Sequence, residues 1–107
     1  VKRILGPAHN AFSKFDIMLD EAKKLNKDTL LLIAMGPTAK PLAFELARIG
    51  YQSIDIGNID IEYEWFLKSA TTKIKIPGKY TSEASGGRAV EEINDEVYKS
   101  QIIKNFS

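Results

Sequence analysis

Apolar residues along the first half of the chain alternate between strand-like and helical spacing. "VKRIL" reads as a short strand that runs into the turn-rich "GPAHN". Phe15, Met18, Leu19, Ala22 and Leu25 then recur at helical intervals. Ser13 and Asp16 stand at capping-box spacing before that helix, and Lys23, Lys24 and Lys27 suit the negative end of its dipole. "DTLLLIAM" is too continuous for a half-exposed strand and too short for a helix, so it predicts a buried parallel strand. A second helix follows with Thr38 as N-cap, Pro41 in its first turn, Leu42, Ala43, Leu46 and Ala47 on one stripe, and Gly50 past its end.

"YQSIDIG" predicts a third strand, and "IDIEYEWFLKSA" a loop entering a short helix. "TKIKIPGKY" alternates apolar and basic residues, as an edge strand or an ordered loop would. Val90, Ile93, Val97, Tyr98, Ile102 and Phe106 predict a terminal amphipathic helix. The order strand, helix, strand, helix, strand implies an α/β architecture: a Rossmann-like parallel sheet with flanking helices, spanning residues 1–107 as one domain or a fragment of one. Three strands are few to cover on both faces, so either the last helix shields an edge or a segment outside this sequence supplies more strands. The second is the expectation.

Composition narrows the classes of function. With 107 residues, 44% of them hydrophobic, the chain suits a single core. Fifteen basic against fourteen acidic side chains give no broad field for nucleic acid or a membrane surface. There is no cysteine, which excludes disulfides and thiolate metal sites and fits a cytoplasmic setting. "LLLIAM" falls far short of the roughly 20 residues a membrane span needs, and "VKRILG" lacks a signal peptide's apolar core.

In an open parallel sheet, ligands bind beyond the carboxyl ends of the strands, and here those ends lead into "GPAHN", "GPTAK" and "GNIDIE". "GPTAK" opens a helix, whose N-terminal amides can receive a phosphate or can simply be capped by Thr38. It matches neither a dinucleotide fingerprint nor a P-loop. Lys40 reaches either a phosphate or water, and His9 and Asn10 contact a ligand or stabilise their turn. "DIGNIDIEYEW" holds Asp55, Asp60, Glu62 and Glu64. If extended, Asp60 and Glu62 share one face and can hold a hard divalent cation; if helical, they serve as cap and first-turn acid. Their place after the third strand favours the cation, while Asp55 and Glu64 read as scaffold or solvent-facing. Tyr63, Trp65 and Phe66 form either a sugar-stacking wall or core.

The run "LLIAMGPTAKPLAFELARIGYQSIDIGNIDIEYEWFL", with "GPAHNAF" before it and "IPGKYTSE" after it, resembles the carboxyl-terminal half of the GT-D-type glycosyltransferases, bacterial enzymes that extend O-linked glycans on serine-rich-repeat adhesins. The resemblance covers about residues 1 to 83. It implies a larger GT-D fold, a nucleotide-sugar donor (typically UDP-glucose), a glycosylated protein acceptor, and a D-x-E motif associated with Mn²⁺ or Mg²⁺. Carried over, the motif falls on Asp60 and Glu62, and "GPTA" on Gly36, Pro37, Thr38 and Ala39. Asn58 stands where "DIGHID" would place a histidine, and offers an oxygen but no imidazole.

Asn10, Gly36, Pro37, Thr38 and Asn58 are thus the expected nucleotide-sugar contacts, on an edge formed around 36–40 and 57–66. Asp60 and Glu62 are the expected metal pair. No catalytic base is assigned, Glu64 and His9 both standing as candidates. The implied activity is transfer of a hexose from a UDP-sugar to a glycan on a protein. The alternative is a Rossmann-like nucleotide-binding or interaction module without catalysis, such as a truncated enzyme. Neither reading calls for nucleic acid, and both leave oligomer formation open.

Overall fold

The structure, a computed structural model, describes residues 1–76, 84–87 and 94–107. Strand β1 (Arg3–Leu5) is followed by a 3-10 turn (Ala11–Lys14) and helix α1 (Phe15–Ala22). Strand β2 (Leu30–Ile33), a 3-10 turn (Gly36–Thr38), helix α2 (Ala39–Arg48), strand β3 (Gln52–Asp55) and helix α3 (Ile59–Leu67) come next. Helix α4 (Glu96–Ser100) and strand β4 (Ile102–Asn105) close the order. The α/β expectation holds: all strand pairs are parallel, and helices flank them.

The sheet is not the single three-stranded layer expected from the strand order. Leu30, Leu31, Leu32 and Ile33 of β2 register with Gln52, Ser53, Ile54 and Asp55 of β3, whereas β1 pairs with β4. Residues 102–105 therefore overturn the terminal amphipathic helix. That helix lasts five residues, its N-cap Asp95 accepting a hydrogen bond from the Tyr98 amide at 3.0 Å. Ile102 and Ile103 then enter a strand, where β-branched side chains pack well, and an open strand edge overrides the helical spacing. The predicted positions Val90 and Ile93 lie outside the described residues, as does 77–80 of the "TKIKIPGKY" stretch. Residues 73–76 of that stretch have no regular secondary structure. Ile76 is buried against Ile61 and Trp65, and the Trp65 indole donates to the Ile74 carbonyl at 2.7 Å.

The main core lies between α1, α2 and one face of β2 and β3. Ala22, Ile33, Ala39, Leu42, Leu46 and Tyr51 form its buried centre, with Phe15, Leu19 and Leu31 packed around them. β2 is only half buried, because Leu30 and Leu32 point away from this core and stay exposed. Helix α2 ends as its glycine predicts: Gly50 has φ +106°, its amide donates to the Ala47 carbonyl, and the Tyr51 amide reaches back to Leu46. Helix α1 does not start as predicted. Ser13 forms no capping box; its hydroxyl donates to the Asn10 carbonyl at 2.8 Å within the 3-10 turn.

Tyr51 ties the end of α1 to the start of β3. Its hydroxyl lies 2.6 Å from the Leu25 carbonyl and 3.0 Å from the Lys23 carbonyl, and the Lys27 ammonium sits 4.2 Å from its ring centroid. Tyr51 is 4% exposed and both bonds are partly buried, so loss of the hydroxyl leaves those carbonyls short of a donor. Tyr51→Phe is expected to lower the unfolding free energy by about 1–3 kcal/mol, measured by urea denaturation with an unchanged m-value.

Candidate functional site

Three strand ends open onto one large cleft. After β1 the chain turns at Asn10, which takes a left-handed conformation with φ 51°, one that asparagine tolerates better than most residues. After β2 it turns at Gly36, φ +54°, and after β3 at Gly57, φ +60°. A Cβ at either glycine would meet nothing within 4 Å, so each glycine serves the backbone turn rather than a tight packing contact. These turns bring Asn10, Gly36, Pro37, Thr38, Asn58 and Asp60 to the lining of the same cleft. His9, Lys40, Asp55, Gly57, Tyr63 and Glu64 line it as well.

Thr38 occupies the N-cap position of α2, but its side chain makes no capping hydrogen bond and is buried. The 3-10 turn of residues 36–38 precedes it, so the chain enters α2 already coiled. The Lys40 ammonium pairs with Asp55 at 3.4 Å. The other Asp55 carboxylate oxygen accepts from the Gly57 amide at 2.9 Å. Asp55 thus ties α2 to the turn after β3, the scaffold role expected of it.

Asn58 is the N-cap of α3, and Asp60 and Glu62 both sit in the first turn of that helix. Two residues along a helix rotate a side chain by about 200°, so Asp60 and Glu62 do not share a face. Asp60, half-buried, faces the large cleft; Glu62, exposed, lines a separate, smaller depression with Trp65, Phe66 and Thr71. The residue that shares the flank of Asp60 is Glu64, four positions on and half-buried in the cleft wall. Helical spacing would have identified it, had the helix been placed from Asn58 rather than after a loop. Among the described residues, no three His, Cys, Asp or Glu side chains are grouped so as to hold a metal. Asp60 and Glu62 thus border different hollows, Asp60 the large cleft and Glu62 the smaller depression.

The aromatic group divides too. Trp65 is core, whereas Tyr63 and Phe66 are exposed and stack on each other with centroids 6.4 Å apart. Tyr63 borders the large cleft and Phe66 the small one.

Comparison with known proteins places this arrangement. The glycosyltransferase GT-D fold family matches residues 1–84. The chain belongs to the GT-D family. It is 44% identical over 103 residues to a protein named "Glycosyltransferase GlyD" from Streptococcus pneumoniae serotype 4, covering 96% of this chain and 13% of that protein. With the "Probable glycosyl transferase Gly" of Streptococcus gordonii, identity is 40% over 107 residues, all of this chain and 16% of the relative. A solved glycosyltransferase from Streptococcus sanguinis superimposes with a TM-score of 0.88 at 39% identity, covering 99% of this chain and 40% of its own. A solved domain described as highly conserved, with a distinct glycosyltransferase fold, gives 0.87 at 39% identity and covers 99% and 38%. This GT-D chain thus spans about two fifths of the solved domains and about a seventh of the curated relatives.

Proposed function

We propose that this GT-D chain forms the nucleotide-sugar edge of a glycosyltransferase that moves a hexose, glucose first among the candidates, from a UDP-sugar to a glycan already on a protein. The observation that carries the reading is the convergence of three strand-end turns, at Asn10, Gly36 and Gly57, on one cleft that also holds Asp60. A diphosphate laid along the Gly36–Thr38 turn would meet the amides at the start of α2. Asn10 and Asn58 would offer side-chain hydrogen bonds to the nucleotide and its sugar. A divalent cation, Mn²⁺ or Mg²⁺, would neutralise the diphosphate and the charge that develops on departing UDP. Asp60 is its proposed ligand, with Glu62, on the other flank of α3, contributing far less than a paired role would require.

The test is release of UDP from a panel of nucleotide sugars with Mn²⁺, with and without a glycosylated acceptor. Acceptor-dependent release from one UDP-sugar supports the reading. Absence of binding to every UDP-sugar, together with saturable binding of S-adenosylmethionine, overturns it. The second reading is a nucleotide-binding module without catalysis. UDP binding without turnover distinguishes it. No described helix is long and apolar enough to cross a membrane, and the cytoplasm, where nucleotide sugars are at hand, is the proposed compartment.

A further inference from the structure

Helix α3 presents an apolar stripe to solvent. Ile59, Tyr63, Phe66 and Leu67 follow one another at helical spacing, so they lie along one side of the helix. They are 61%, 60%, 76% and 57% exposed. The packing of α3 comes from other positions, Ile61 and Trp65, which are buried with Ile76. At the middle of the stripe the Tyr63 and Phe66 rings stack with centroids 6.4 Å apart and 23° between their planes, and so make one contiguous aromatic surface. Two large rings left in water contribute little burial to the fold, and an exposed apolar patch with a polar rim marks a binding surface.

A polar hollow adjoins the Phe66 end of that surface. Ser69, with φ 51°, turns the chain back after α3, its amide donating to the Phe66 carbonyl and the Ala70 amide to the Trp65 carbonyl. The Trp65 indole then holds the returning segment by donating to the Ile74 carbonyl at 2.7 Å. Thr71, Thr72 and Lys73 are thereby set with Phe66 and Glu62 around an open depression of about 620 Å³, within the range of roughly 300–1,000 Å³ typical of small-molecule sites. One carboxylate and one ammonium leave this lining without net charge, and its hydroxyls both donate and accept hydrogen bonds.

We propose that the Tyr63–Phe66 surface and this hollow form the acceptor-sugar subsite, the rings stacking against a pyranose of a neutral glycan while Thr71, Thr72 and Lys73 bond its hydroxyls. The chemistry of a sugar matches both parts. One face of a pyranose is lined by C–H groups whose slight positive charge meets the negative face of an aromatic ring, and the hydroxyls around its rim need partners that donate and accept. An apolar protein face laid here would instead strip water from the hydroxyls and both charges of the hollow without replacing it. Position selects the acceptor rather than the donor. Tyr63 also borders the cleft that holds Gly36, Thr38 and Asp60, whereas Phe66 borders the hollow, so the aromatic pair spans the crest between the two. A glycan lying on the pair points one end at the donor's sugar. Its role as acceptor rests on the donor reading of the cleft; the binding of sugar on Phe66 does not.

Trp65 lines the hollow and is the single tryptophan of the chain, so its fluorescence reports occupancy directly. The probes are the neutral disaccharides maltose, cellobiose, lactose and chitobiose, titrated to millimolar concentration with no nucleotide present. At least one is expected to shift the emission saturably. Phe66→Ala is expected to weaken that binding about tenfold, and Phe66→Tyr, which keeps a ring, to preserve it. Because Phe66 is exposed, the alanine variant should melt within about 3 °C of the parent. UDP with Mn²⁺ should bind alongside the sugar rather than displace it. Sugar binding without any UDP binding upholds the subsite and overturns the donor reading, so the two fail separately. Silence toward every disaccharide, equal affinity in Phe66→Ala, or displacement of the sugar by UDP overturns the proposal. Self-association that Phe66→Ala abolishes also overturns it, assigning the stripe to a second copy.

Discussion

Asp60→Asn is expected to weaken Mn²⁺-dependent UDP binding by tenfold or more, while Glu62→Gln changes it by less than about threefold. The asymmetry follows from helix geometry. Both carboxylates lie in the first turn of α3, where an acid of either kind interacts favourably with the helix dipole, so substitution at the two sites should perturb the helix similarly. What differs is the direction in which they face: Asp60 borders the cleft that contains Gly36, Thr38 and Asn58, and Glu62 borders the separate depression beside Phe66. A charged interaction made by Asp60 with a bound cation or its waters contributes about 1.5–3 kcal/mol, roughly ten- to a hundredfold in affinity. Titration calorimetry with and without Mn²⁺ measures the difference. If Glu62→Gln loses as much as Asp60→Asn, the first turn of α3 must open when the nucleotide binds, and the tripeptide acts as a pair after all.

How far the sequence reveals this site depends on which signal each residue carries. The helices α1 and α2, the three strands before α3 and the convergence of the strand-end turns were legible, because their apolar periods and glycines are local signals. Gly50 marks its helix end in the structure as it does in the sequence. The fates of residues 102–105 and of Glu62 were not legible, for different reasons. Ile102 and Phe106 fit a helical stripe, and only the partner strand β1, about a hundred residues away, makes Ile102–Asn105 a strand. D-x-E reads as one face in an extended segment and two faces in a helix, so a shift of the helix start by a few residues decides which carboxylate lines the cleft. Helix starts are poorly marked when, as at Asn58 and Thr38, the N-cap side chain makes no capping bond. The resemblance to GT-D enzymes supplied what spacing could not: that these turns belong to a sugar-transfer family.

Leu46→Ala is expected to have the largest effect on stability, a loss of about 2–5 kcal/mol. Leu46 is 1% exposed and sits among Ala22, Ile33, Leu42 and Tyr51, where α2 meets the sheet and α1. A domain of this size has about 5–15 kcal/mol in total, so the variant should melt far below the parent and populate unfolded chain under mild denaturant. Phe44→Ala on the same helix, at 66% exposure, is the control and should change stability by less than about 0.5 kcal/mol. The two principal variants should also respond in opposite ways to ligand. α2 carries the Gly36–Thr38 turn at its start, so packing at Leu46 holds that turn in place but touches no ligand. Saturating UDP with Mn²⁺ should therefore restore part of the melting temperature lost in Leu46→Ala, since a ligand that binds only the folded state stabilises it by mass action. In Asp60→Asn the same ligand should give little or no shift, although the unliganded protein melts near the parent. A ligand shift of equal size in both variants would mean that Asp60 lines the cleft without taking part in binding.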